Sequence, residues 1–316
     1  MAIAPEILSV LSEINQQPAM HQTPIATLRK RRPRIGLENI HPIKGTQDIT
    51  IASDGYDMPA RIYHPSETSI QPSLIIFFHG GGFVFGGLEG YYDHVCRMLC
   101  DHSNSVVVSV DYRLAPENKF PAATNDAWNA LLWSRNNITL LGANKDQVFV
   151  AGGSAGANLA AVTAMRVRDQ ADFQIQGQVL FYPITDFPDP PTQSFQTYNT
   201  GFYLTGNDIL WFWDQYLKTP ADRLNPYAAP LQAKDFSQLA PAFLLTAEAD
   251  PLRDEAESYA RKMEEAGVKV KLTRYDGMIH GFMAFPTPRS DEALLEASEW
   301  IKSQKHESRA LRFFKM

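Results

Sequence analysis

A chain of 316 residues that is 44% hydrophobic can bury a large core, as one generous α/β domain or two smaller ones. Its formal net charge of −6 argues against nucleic acid or an anionic membrane as partner, because either would call for a basic surface. The only cysteines, Cys96 and Cys100, lie four apart in a predicted helix and read as two partly buried thiols in a reducing compartment, not as a disulfide framework.

In chain order, PEILSVLSEI comes first, with Ile7, Leu8, Leu11 and Ile14 on one helical face. This N-terminus lacks the cationic flank and apolar stretch of an export signal, and no segment approaches membrane-spanning length. The expectation is a soluble, cytoplasmic protein with no membrane span. The basic run from Arg29 to Arg34 reads as solvated charge and not as a targeting or lipid-binding patch. From Thr46 onward, strand-like and helix-like segments alternate. Strands are expected at 46–51, 59–63, 74–78, 105–110, 148–151, 177–182, 242–246 and 270–275. Most of the later ones are nearly continuously apolar, as in a sheet covered on both faces. Helices are expected at 91–102, 121–136, 154–169, 253–266 and 290–303. SDGYD predicts an antiparallel hairpin between the first two strands, and the remainder a mostly parallel sheet with crossover helices. Residues 1–45 and 185–235 do not fit this rhythm, the second being rich in proline and aromatic residues. Both are expected outside the sheet, as two parts of a cap over a core built from 46–184 and 236–316.

At the end of the fifth strand, GGSAG places Ser154 on a strand-to-helix turn with glycine two residues away on each side. Glycine tolerates positive φ and close backbone approach, so Gly152 and Gly156 read as steric permission for that turn. G-x-S-x-G is the nucleophile elbow, which exposes a serine Oγ above a sheet. Taken alone, it leaves a serine N-cap equally open. A second glycine cluster, Gly80 to Gly82, follows His79 after the third strand. It gives no G-x-G-x-x-G, and the Walker spacing from Gly82 to Gly87 continues into Leu88 and Glu89, which argues against nucleotide binding. The alternative is an oxyanion hole, where backbone N–H groups approach a developing alkoxide with no Cβ in the way. Asp250 follows the seventh strand and His280 the eighth, completing the chain order serine, acid, histidine. Asp250 before Pro251 is also a good helix N-cap, and His280 alone would be an ordinary loop histidine. Among the neighbouring acids Asp250 is preferred to Glu248, Asp254 and Glu255, the last two falling in a first helical turn where they complement the dipole.

HGGGF at 79–83, DYRLAPE at 111–117, GGSAG at 152–156, DPLRDE at 250–255 and HGF at 280–282 together resemble the bacterial hormone-sensitive-lipase-like esterases, a carboxylesterase family. The resemblance implies an α/β-hydrolase fold: a mostly parallel eight-stranded sheet flanked by helices, with a helical cap. It implies Ser154 as nucleophile, Asp250 and His280 as its partners, and an oxyanion hole from Gly81, Gly82 and Ala155. Such esterases more often carry an acidic residue before the nucleophile and a second glycine after the elbow, where this chain has Gly153 and Ala157.

The function expected is hydrolysis of small-molecule carboxylic esters through an acyl-enzyme, with no cofactor and no metal, since neither HExxH nor a Cys/His cluster is present. Amide or peptide cleavage by the same triad stays open, as does the formation of a homo-oligomer. A non-catalytic receptor on the same scaffold is disfavoured because His280 is retained; plant gibberellin receptors, which resemble the family, lack that histidine. His79 is expected to hold the oxyanion loop. Phe83, Phe202, Trp211 and Phe282 are expected to line the substrate site, and the cap aromatics to restrict it to short acyl groups.

Overall fold

Eight strands form a single sheet in the order β1-β2-β4-β3-β5-β6-β7-β8 in a computed structural model that describes residues 3–30, 41–67, 71–285 and 287–313, with side chains as far as Lys305. Most of the basic run, from Arg31 on, lies outside the described residues. The strands are β1 (Gly45–Ser53), β2 (Tyr56–His64), β3 (Ser73–Phe78), β4 (Ser105–Val110), β5 (Val148–Gly153), β6 (Gly177–Phe181), β7 (Ala242–Ala249) and β8 (Val270–Ile279). β1 and β2 form the expected hairpin, closed at Ser53 and Tyr56 by Asp54 and Gly55, both at positive φ as a two-residue turn of matching twist demands. β2 also runs antiparallel to β4, and every later pairing is parallel.

Helices α1 (Pro5–Ile14), α2 (Ile25–Leu28), α3 (Tyr91–His102), α4 (Ala122–Asn136), α5 (Ala155–Gln170), α6 (Gln193–Tyr198), α7 (Gly206–Tyr216), α8 (Arg253–Glu265) and α9 (Pro288–Phe313) accompany the sheet. β3, β4, β5 and β6 are buried along their whole length because helices cover both faces. Alternate residues divide between two apolar layers: Ile75, Phe77 and Phe149 pack with Leu99 and Ile301, whereas Leu74, Ile76 and Val150 pack with Leu131 and Leu159.

Three expectations are corrected in this scaffold. Leu8 is 53% exposed while Ile7 and Leu11 are buried, so the inward stripe of α1 is narrower than its apolar residues suggest. Cys96 and Cys100 are free but fully buried, not partly. The last helix starts at Pro288 and runs well past residue 303. Among the described residues, neither irregular segment contributes a strand before Gly45 or between Phe181 and Ala242, and the two are joined to each other. Buried Asp208 closes a capping box with Thr205 at the start of α7 and also accepts the His21 backbone N–H at 2.8 Å, with His21 Nδ1 at the same distance. No described helix is long and apolar enough to cross a membrane.

Candidate active site

Ser154 occupies the single residue between β5 and α5 at φ 56°, ψ −117°, a conformation that a side chain with a Cβ resists. The positive φ therefore sits at the serine itself, and the flanking glycines serve close approach alone. A Cβ on Gly152 would collide with the Gly156 carbonyl, and one on Gly156 with the Phe78 carbonyl at the end of β3. The Ser154 N–H donates to Phe181 O at 2.9 Å, which ties the turn to β6. The side chain makes no N-cap bond. Its Oγ instead lies 2.9 Å from His280 Nε2.

β8 delivers His280 as the first residue beyond its end, and Gly281 then turns the chain at φ 69°. His280 Nδ1 is 2.7 Å from Asp250 Oδ2, and the other Asp250 oxygen accepts the Leu252 N–H at 2.8 Å. Both side chains are buried. A carboxylate only accepts, so Nδ1 carries the proton and the Nε2 lone pair faces the serine hydroxyl. The Tyr182 ring stands edgewise to the imidazole, centroids 5.0 Å apart.

The remaining acids of EADPLRDE have separate duties. Glu248 accepts the Gly277 N–H at 2.7 Å, pinning β8 just ahead of the histidine. Asp254 accepts the Ser194 N–H at 2.7 Å and pairs with Arg253 at 2.8 Å. Glu255, fully inside, accepts the N–H groups of Thr185 and Asp186 at 2.7 and 3.1 Å, and burial pushes its carboxyl well above the usual range. Asp254 and Glu255 thus fasten the 185–235 segment to the helix that follows Asp250, a role beyond the dipole complement read from sequence. A glutamate in a first helical turn carries no sequence signal that would distinguish these two uses.

Gly81 and Gly82 lie at φ 113° and 58°. Their N–H groups, and that of Ala155 at the first position of α5, make no hydrogen bond with another described residue. His79 Nδ1 is 2.8 Å from Gly80 O, and its ring stacks on Tyr112 at 4.2 Å. The Gly80 carbonyl and the Gly81 N–H are opposite ends of one planar peptide, so holding the first aims the second. Ser154, His280, Gly81 and Gly82 share the lining of a cavity of about 90 Å³, with Met20, Phe85, Tyr203, Leu204 and Phe212 among its walls.

None of the four expected lining aromatics borders this cavity. Phe83 is buried in a stack on Tyr216, ring centroids 3.7 Å apart. Phe282 packs on Tyr182 and Tyr275, Phe202 on Tyr198, and Trp211 on Phe212. The neighbours do the work instead: Phe212 lies so close to Gly82 that a Cβ there would strike its ring. An apolar run such as ILWFW does not reveal which residue of a helix faces the site until the opposing surface is known. Met20, from the N-terminal segment, had no signal in the sequence.

The family described as alpha/beta hydrolase fold matches this chain over residues 75–284. The carboxylic ester hydrolase LipN of Mycobacterium tuberculosis is 41% identical over 242 residues, covering 75% of this chain and 64% of LipN, so the match spans less than two thirds of that relative. An ethyl acetate hydrolase of Pseudomonas putida is 36% identical over 261 residues, 81% of each chain. The structure of a hyperthermophilic esterase from Pyrobaculum calidifontis superposes with a TM-score of 0.91 at 40% identity, covering 96% of this chain and 99% of the other.

Proposed function

Because this chain belongs to the α/β-hydrolase family, we propose that it is a serine carboxylesterase acting on small esters with short to medium acyl groups. The observation that carries the reading is the unbroken line from Asp250 Oδ2 through His280 to Ser154 Oγ, ending in a cavity that also presents the Gly81 and Gly82 backbone. In this reading Ser154 Oγ attacks the ester carbonyl carbon while its proton passes to His280 Nε2. The carbonyl electron pair moves onto oxygen, where the N–H groups of Gly81, Gly82 and Ala155 stabilise the negative charge. Collapse breaks the bond to the alkoxy oxygen, which takes the proton from Nε2 and leaves as alcohol. A water activated by the same imidazole then repeats the sequence on the acyl-enzyme and releases the acid. Asp250 holds the Nδ1–H tautomer and stabilises the imidazolium in both halves.

The segments 3–30 and 185–235 serve as the cap, supplying Met20, Tyr203, Leu204 and Phe212 to the walls. A cavity this small, below the several hundred cubic ångströms typical of drug-sized ligand pockets, favours roughly acetyl to hexanoyl esters. The test is a panel of p-nitrophenyl esters from acetate to palmitate, run beside the anilide of the best acyl group, on the parent and on Ser154→Ala, together with stoichiometric organophosphonate labelling. Turnover confined to the short esters, with turnover and labelling both lost in Ser154→Ala, is expected. A palmitate optimum, or a labelled Ser154→Ala protein, contradicts the reading; faster anilide than ester cleavage would make the protein an amidase.

A further inference from the structure

Position 153, immediately before the nucleophile, carries no side chain although nothing in the backbone requires glycine there. Gly153 has no positive φ, and a Cβ on it would stand 3.4 Å from the Tyr92 hydroxyl and 3.6 Å from the Tyr182 ring, both ordinary contacts. Gly152 and Gly156, in contrast, have no room for one. Glycine at 153 therefore leaves an opening in front of Tyr92 that a side chain at this position would enter.

Tyr92 is the second residue of α3 and shares the cavity lining with Ser154, His280, Gly81 and Gly82. Its hydroxyl, the Gly153 carbonyl oxygen and Ser154 Cβ all crowd within 3.2 Å of the point where a Cβ on Gly80 would fall, so the hydroxyl stands beside the nucleophile. The neighbouring phenols are committed elsewhere. Tyr91 and Tyr182 pair hydroxyl to hydroxyl at 2.9 Å, and Tyr112 donates to His79 O at 2.8 Å. The Tyr92 oxygen faces the Gly80 backbone N–H, and its proton meets no acceptor among the described residues. Burial also keeps this phenol above its ordinary titration range, so it remains a donor throughout the working pH of a histidine base.

We propose that the Tyr92 hydroxyl donates a hydrogen bond to an oxygen of the ester adduct on Ser154, and that glycine at position 153 keeps that proton free for substrate. Tyr92 then touches the reacting group as a donor beyond the glycine N–H pair. A carboxylate at 153 would capture the proton and remove it from catalysis. The inference rests on Ser154 being the nucleophile.

Four proteins test it: the parent, Tyr92→Phe, Gly153→Asp and the double variant, with Gly153→Ala as the control that adds bulk without an acceptor. Each is measured for p-nitrophenyl butyrate hydrolysis, for inhibition by a short alkyl boronic acid that forms a tetrahedral adduct on serine, and for melting temperature. Loss of one neutral hydrogen bond in the adduct lowers kcat/KM about tenfold. The expected result is such a loss in Tyr92→Phe, carried by kcat and matched by weaker boronate inhibition. Gly153→Asp falls at least about fivefold below Gly153→Ala, and the double variant is no worse than Tyr92→Phe. Tyr92→Phe within about twofold of the parent in both assays, or losses that multiply in the double variant, overturns the proposal. If Tyr92→Phe does not fold, the Asp-against-Ala comparison at 153 decides, and equal activity there overturns it. A parent that neither hydrolyses esters nor labels at Ser154 defeats the esterase reading and this inference with it; an active parent with an unaffected Tyr92→Phe defeats this inference alone.

Discussion

Asparagine at position 250 exchanges one carboxylate oxygen for an NH₂ group, removing the charge with almost no change in volume. In the native arrangement the two Asp250 oxygens divide their work, one accepting from Leu252 N–H at 2.8 Å and one facing His280 Nδ1 at 2.7 Å. An asparagine keeps its carbonyl oxygen on the Leu252 N–H and turns its NH₂ group toward Nδ1. The imidazole then accepts there, places its proton on Nε2, and can no longer remove a proton from Ser154 Oγ. Loss of the correct tautomer in a triad lowers kcat by about 10⁴, which is about 5.4 kcal/mol of transition-state stabilisation at 1.36 kcal/mol per tenfold. Asp254→Asn is the matched control. That residue accepts from Ser194 N–H, as an amide oxygen also can, and loses a partly exposed pairing with Arg253 worth at most about 1 kcal/mol. Steady-state hydrolysis of a short p-nitrophenyl ester, with the rate of phosphonate labelling and a melting curve for each variant, measures the contrast. Asp250→Asn should melt within a few degrees of the parent yet lose about four orders of magnitude in activity, against less than about tenfold for Asp254→Asn. Comparable losses at both positions, or a loss below about a hundredfold at 250, would refute the assignment of Asp250.

Phe212→Ala should move the acyl optimum upward by about two carbons, since each methylene newly buried contributes about 0.8 kcal/mol, while Trp211→Ala should leave the chain-length profile where it was. Identical profiles for the two variants would show that Phe212 does not limit the site. Gly156→Ala forces a methyl against the Phe78 carbonyl and should cost about 1–3 kcal/mol by denaturant titration; an unchanged midpoint would mean that α5 shifts away from β3 freely. Glu255→Gln keeps an oxygen for the Thr185 and Asp186 N–H groups but cannot ionise. Because the folded protein raises the Glu255 carboxyl above its unfolded value, the native state holds that proton more tightly, and the parent loses stability relative to the variant as pH rises from the unfolded value of about 4.3 toward the folded pKa. The difference in melting temperature should therefore shift in favour of Gln with rising pH, and a pH-independent difference would contradict the buried carboxyl's role.

Sequence alone reached the strand order of events: an apolar run ending in Gly-Gly-Ser, another ending in His-Gly-Gly-Gly, and an acid and a histidine each just beyond a strand. These features are local, because strand periodicity and glycine at a turn are written in consecutive residues. They were enough to place the hairpin, the parallel core, the histidine that the fold brings within hydrogen-bonding distance of Ser154 and the aspartate that pairs with that histidine. The reason for the elbow glycines was only half visible, since the chain does not show that Phe78 O lies where a Cβ on Gly156 would be, or that Ser154 itself takes the positive φ.

Tertiary structure decided which side chains share a space. Helix α7 could have turned Trp211 or Phe212 inward, and packing against the Gly82 backbone selected Phe212. Asp208 satisfies the α7 N-terminus by a rule readable from Thr205, but its bonds to His21 cross 187 positions of chain. The same holds for Glu255 on Thr185 and Asp186, and for Tyr92 facing the opening at Gly153. A local pattern fixes backbone direction and the alternation of faces over a few residues. Contact between segments distant in sequence depends on the rotation and offset of whole elements, which close packing sets for all of them at once and no single stretch of sequence records.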